Sequence, residues 1–114
     1  MRIVGLVFAG TATNRRAEMT RFAEDTLGLE RVRIGGVEAD LFELPDGSHF
    51  AVADPGGMGN TDRSVGFRVE QLDDAVAELG ATGIDVGQIS ENERHRYVHF
   101  RAPDGLLYEL VEER

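Results

Sequence analysis

Apolar residues alternate with small or polar ones from the start of the chain, "MRIVGLVFAG", and a period of two over so short a run predicts a strand. From residue 13 the period changes. In "TNRRAEMTRFAEDTL", Met19, Phe22, Ala23 and Leu27 recur at three- and four-residue spacing and Gly28 follows as a stop, so the spacing predicts a helix over 13–27. Leu72, Val76 and Leu79 repeat that spacing over 71–79, with Gly80 behind them. Strand-like stretches follow each helix, at 30–34, 37–44 and 49–53 and again at 84–89, 96–101 and 106–111. The last two of each set are joined by one phrase, "PDG" at 45–47 and at 103–105, which favours a tight turn. "VGLVF" at 4–8 is echoed by "VGFRV" at 65–69. The pattern therefore reads strand, helix and three strands, written twice. Module 1 covers about 1–55, a glycine-rich polar linker about 56–62, and module 2 about 63–114. The linker does not suit a phosphate, because neither a strand-to-helix context nor a lysine follows it.

Composition narrows the partners. A chain of 114 residues is one domain. With 41% hydrophobic and 29% charged residues it is expected to be soluble, and no apolar stretch approaches the ~20 residues of a membrane span. The N-terminus lacks the apolar core and cleavage site of a signal peptide, so a cytoplasmic location is expected. The absence of cysteine removes disulfides, thiolate metal sites and a thiol nucleophile. Twelve basic against twenty-one acidic residues give a net charge of −9, which repels a nucleic-acid backbone. Small molecules, cationic or neutral, are the expected partners.

Two βαβββ modules, with "F-x-x-x-x-L-G-L" closing the first helix and "APDGLLYEL" closing the chain, resemble the vicinal oxygen chelate superfamily. That group holds glyoxalase I, bleomycin-resistance proteins, extradiol dioxygenases, fosfomycin-resistance enzymes and methylmalonyl-CoA epimerase. The resemblance covers essentially the whole chain. It implies an α+β fold in which two four-stranded sheets form a curved, partly open barrel, with the ligand on the concave face and helices outside. It also implies a homodimer, since the modules leave open sheet edges that members cover with a partner.

Period-two reading then assigns faces. Val65, Phe67 and Val69, with Leu106, Tyr108 and Leu110, are expected under the second helix. Ser64, Gly66 and Arg68, with Leu107, Glu109 and Val111, are left for the cleft. In module 1 the cleft set is Ile3, Gly5 and Val7 from the first strand and His49, Ala51 and Ala53 from the last. The metalloenzymes that the chain resembles hold their ion with one residue near the start and one near the end of each module, which carries over to Ile3, Ala51, Ser64 and Glu109. Glu109 ligates well and Ser64 weakly, whereas a catalytic ion needs about three protein ligands. His49, His95 and His99 form no close pair with Glu109 by spacing.

The expectation is therefore a cleft without metal or other cofactor, walled by Ile3, Val7, His49, Ala51, Ser64, Arg68, Leu107 and Glu109, with Glu109 as its anchoring polar group, compensated either by Arg68 or by a ligand cation. His49 reads as a solvated strand residue, and His95 as part of an exposed connection, "ENERHR"; His99 is open to either face. The chain has no Trp and 7% aromatics, with Phe8, Phe42, Phe50, Phe67 and Phe100 expected inside, which argues against a planar ligand. The expected function is metal-independent binding of a small molecule. The alternatives are a divalent-metal-dependent lyase, isomerase or dioxygenase, and a non-catalytic structural or regulatory dimeric module.

Overall fold

The two repeats build one curled mixed sheet. In chain order its elements are β1 (Gly5–Ala12), α1 (Arg16–Asp25), β2 (Glu30–Val32), β3 (Asp40–Glu43) and β4 (His49–Ala53), then β5 (Arg63–Arg68), α2 (Leu72–Ala81), β6 (Asp85–Val86), β7 (Ser90–Glu91), β8 (His95–Arg101) and β9 (Leu107–Glu113). The structure, a computed structural model, describes residues 1–57 and 63–114, so residues 58–62 of the expected linker lie outside the described residues. The strand order is β2-β3-β4-β1-β5-β9-β8-β6, with β7 also on β8. Within each half the first strand runs parallel to the last, β1 with β4 and β5 with β9, while β1 and β5 meet antiparallel at the centre. Among the described residues no helix is long and apolar enough to cross a membrane.

The central ladder fixes the relation between the halves. Phe8 faces Gly66, Ala9 faces Val65 and Gly10 faces Ser64. A two-fold axis through the Ala9 and Val65 pair therefore exchanges Phe8 with Ser64 and Gly10 with Gly66. Farther out it exchanges Ala51, opposite Gly10, with Glu109, opposite Gly66. This corrects the sequence alignment of the first strands, which matched Ile3 to Ser64. The shift is five residues, from Ile3 to Phe8, because β1 meets β5 farther along the chain than the match of "VGLVF" to "VGFRV" places it. A β-bulge adds to this, since Leu6 faces Phe67 and Phe8 faces Gly66, which makes Val7 an extra residue. One extra residue inverts the inside and outside sets of everything beyond it.

Both "PDG" phrases close hairpins in the same way. Gly47 and Gly105 sit at φ of 85° and 84°, where a side chain would strain the backbone. Their N–H groups donate to the carbonyls of Leu44 and Ala102, at 2.9 Å each.

Each helix covers the outer face of its own half. Ala23 packs with Phe42 and Val52, joined by Met19, Leu29 and Phe50, whereas Phe22 and Leu27 of the expected helical stripe are exposed. The first helix turns Thr20 inward because its hydroxyl donates to Asp40 at 2.6 Å. Asp40 also receives Arg16 at 3.0 Å and Arg31 at 2.6 Å, and the Arg16 bond above all holds its carboxyl down to about 2. Under α2, Leu72 and Ala75 pack with Val69, Val98 and Leu110, with Phe67 against them as expected. Tyr108 stacks between Phe67 and Phe100. Leu106 lies outside that core, exposed before β9.

Candidate functional site

The inner face of the curled sheet encloses a cavity of about 340 Å³. Its two walls differ in chemistry. The first half supplies an apolar wall, in which Ile34, Leu41 and Ala51 pack together with Val37 and Ala39. The second half supplies β8 and β9, and period-two alternation sends His95, Tyr97 and His99 of the one and Glu109 and Val111 of the other to the same side. Ser64 joins from β5 and His49 from β4. All three histidines of the chain thus meet at this cavity. A contact between the halves closes one side. Glu93 N–H donates to the Gly35 carbonyl at 3.0 Å, and Gly35 N–H donates to the Glu93 carboxylate.

Of the eight residues expected in the cleft, the structure puts Val7, His49, Ala51, Ser64 and Glu109 on the cavity wall. Ile3, Arg68 and Leu107 are not on it. Ile3 precedes β1 and is 45% exposed, because the strand begins at Gly5. Arg68 lies opposite Val111 and reaches onward to Glu113, 2.9 Å away, so it does not neutralise Glu109. Leu107 opens β9 at the far end from the cavity, opposite Arg101. Phe8, expected inside, is brought to the cavity by the bulge at Val7. His49, read as solvated, is buried, and His95 belongs to β8 instead of an exposed connection. The signal for His95, Tyr97 and His99 was present in the sequence as an alternation that ends opposite Glu109.

Glu109 is partnered by His99, directly across the β8–β9 ladder, with Nε2 3.5 Å from Oε2. That carboxylate raises the His99 pKa above the usual imidazole value, against the opposing effect of burial. Burial acts the other way on His95, lowering its pKa, and the neighbouring His49 adds to the effect. Tyr97 is raised, first by burial and then by Glu109. Among the described residues, two buried side-chain polar atoms have no hydrogen bond: His49 Nε2 and Ser64 Oγ. Glu43 Oε1 lies 3.3 Å from that Nε2 without the alignment of a hydrogen bond.

The two-fold axis replaces the carried-over metal positions with Phe8, Ala51, Ser64 and Glu109. Neither a phenyl ring nor a methyl group ligates, and the set does not fit a divalent ion. Among the described residues no group of three or more His, Asp or Glu is gathered to hold one.

No protein-family model matches the sequence, and no curated protein aligns with it significantly. Solved structures do match. Methylmalonyl-CoA epimerase from Mycobacterium tuberculosis superposes with a TM-score of 0.77 at 19% identity, over 98% of this chain and 89% of that one. A glyoxalase/bleomycin resistance protein/dioxygenase superfamily member from Vibrio splendidus 12B01 gives 0.67 at 15% identity, over 94% and 97%. BphC, a halotolerant catechol dioxygenase, gives 0.74 at 18% identity, over 98% of this chain and 40% of the larger protein. Together with the paired βαβββ topology, these superpositions show that the chain has the α+β glyoxalase/bleomycin-resistance/dioxygenase fold.

Proposed function

We propose that the cavity is a metal-independent binding site for a small neutral molecule with an apolar body and one hydrogen-bonding end. The observation that carries this reading is Ser64 Oγ, a buried hydroxyl without a hydrogen bond on the cavity wall, beside His49, whose buried Nε2 has Glu43 Oε1 3.3 Å away but no hydrogen bond. A buried polar group without a partner costs about 1–3 kcal/mol, and a bound ligand is the partner the fold leaves room for. The wall chemistry sets the ligand class. Among the described residues no arginine lines the cavity, so an anion finds no permanent countercharge there, and Glu109 has His99, when protonated, as its partner. The apolar wall takes the body of the ligand while the polar groups orient its end.

A second reading is an enzyme of lyase, isomerase or dioxygenase type. The feature that favours it is the His99 and Glu109 pair, a titratable dyad facing a partly apolar cavity. A cytoplasmic homodimer belongs to the first proposal, with the exposed apolar residues Ile3, Leu6, Phe22 and Leu27 as candidates for burial against a second copy.

The test is Ser64→Ala. Removing an unsatisfied buried hydroxyl at nearly constant shape stabilises the ligand-free protein by about 1 kcal/mol. The same change lowers retention of small molecules, read by native mass spectrometry of protein equilibrated with a library of neutral compounds. A variant that loses stability and keeps its binding profile refutes the reading.

A further inference from the structure

The floor of the cavity is aromatic, for a reason the strand pairing supplies. Phe8 stands at the centre of the sheet, between His49 on β4 and Gly66 on β5. A Cβ built on Gly66 would lie 2.5 Å from Phe8 Cε1 and 2.6 Å from Cδ1, so the ring occupies the volume that any side chain at 66 would fill. Val111 Cγ2 lies 3.2 Å from the same point, on the β9 side. The ring is therefore seated on bare backbone, and it still faces the cavity.

The walls around it carry further rings. His49 and His95 meet edge to face with centroids 6.5 Å apart, and Tyr97 and His99 do so at 5.8 Å. Such tilted pairs leave ring faces and edges for a third aromatic partner. Five ring side chains thus surround one cavity in a chain with 7% Phe, Tyr and Trp.

We infer that Phe8, seated on Gly66, is the specificity-determining residue of the cleft and selects a planar aromatic ligand, whose polar edge is met by His49 and Ser64. This rests on the reading of the cavity as a small-molecule site and deepens it by naming the ligand's shape. It reverses the expectation drawn from composition. Few aromatics suffice when the bulge brings one to the floor and β8 brings the others to the wall.

The probes are 2-naphthol and its saturated counterpart decahydro-2-naphthol, which share a skeleton and a hydroxyl and differ in planarity. Calorimetric titration of the wild type is expected to favour 2-naphthol by about five- to tenfold, the size of an aromatic pairing effect. Phe8→Leu is expected to abolish that preference while leaving the saturated alcohol within about twofold. Gly66→Ala keeps the ring but displaces it from its seat, and is expected to erode the same preference, with far-UV circular dichroism checking that both variants fold. Equal binding of the two alcohols to the wild type, or a preference that survives both substitutions, overturns the role of Phe8 and leaves the cavity a small-molecule site. Failure of the wild type to bind either alcohol overturns both readings.

Discussion

Replacing Glu109 by Gln keeps the shape of the side chain and removes the charge that faces His99. At their separation of 3.5 Å, two unit charges attract by about 1.2 kcal/mol in water and by about 5 kcal/mol at an effective dielectric of 20. The Glu109 side chain is 13% exposed but that of His99 is 44% exposed, so solvent screens the pair and the aqueous end of the range applies. The expected loss is about 1 kcal/mol, or roughly 4 °C in melting temperature for a domain of this size. Its pH dependence follows from the direction of the His99 shift. The folded-state pKa is raised above the ordinary 6.5, so the contribution is fully present below that value and is lost as pH rises through the folded value. Urea titrations of wild type and Glu109→Gln at about pH 5.5 and about pH 8.5 are the assay. The two proteins differ at the lower pH and converge at the higher. An equal difference at both, or a larger one at about pH 8.5, refutes the pairing of Glu109 with His99 as the origin of the effect.

Asp40→Asn removes the carboxylate shared by Arg16, Arg31 and Thr20. Its pKa is held to about 2 against an ordinary 3.8, so the variant is expected to lose about 2 kcal/mol at neutral pH, measured by urea melts. The wild type loses the same amount as pH falls from about 4 through about 2, because a depressed carboxyl stabilises only above its unfolded value. The double variant Phe8→His and Ala51→His puts two imidazoles at the positions that the two-fold axis relates to Ser64 and Glu109. It is expected to bind zinc or nickel stoichiometrically where the wild type does not, read by calorimetry; wild-type binding of equal affinity contradicts the assignment of these positions. Light scattering at micromolar concentration is expected to give the mass of a dimer, and a monomer removes the proposed self-association.

The repeat was legible in the sequence because it rests on local signals. The "PDG" turns demand glycine at positive φ, and the two helices announce themselves by apolar spacing and a terminal glycine. Part of the cleft face of module 2 is legible too: alternation along β5 and β9 carries Ser64, Glu109 and Val111 to the cavity, whereas Arg68 and Leu107 of the same sets lie off its wall. Module 1 departs from its sequence pattern in two ways, a five-residue slip of its first strand against the repeat and one bulge. A bulge has no signature in the apolar pattern of "VGLVF", yet the extra residue at Val7 moves Phe8 to the cavity. Charge alone makes Arg68 a candidate partner for Glu109. The register sets it against Val111, which puts Glu113 within reach. His49 looked solvated because it follows a turn; its burial comes from the curl of the sheet, a long-range property that no local window contains.

The halves of the sheet share a spine, the antiparallel ladder of β1 and β5, and they touch again across the cavity where Gly35 and Glu93 exchange hydrogen bonds. In mechanical terms this is a book held shut by a clasp. Spreading the covers about the spine breaks those two bonds, the Arg94–Glu43 ion pair and the His49–His95 ring contact while every strand ladder stays intact. Opening of the cavity is then a local event, separate from global unfolding. The backbone amides of Gly35 and Glu93 become its reporters: their hydrogen-exchange rates measure how often the cavity opens, and a bound molecule slows them in proportion to its occupancy.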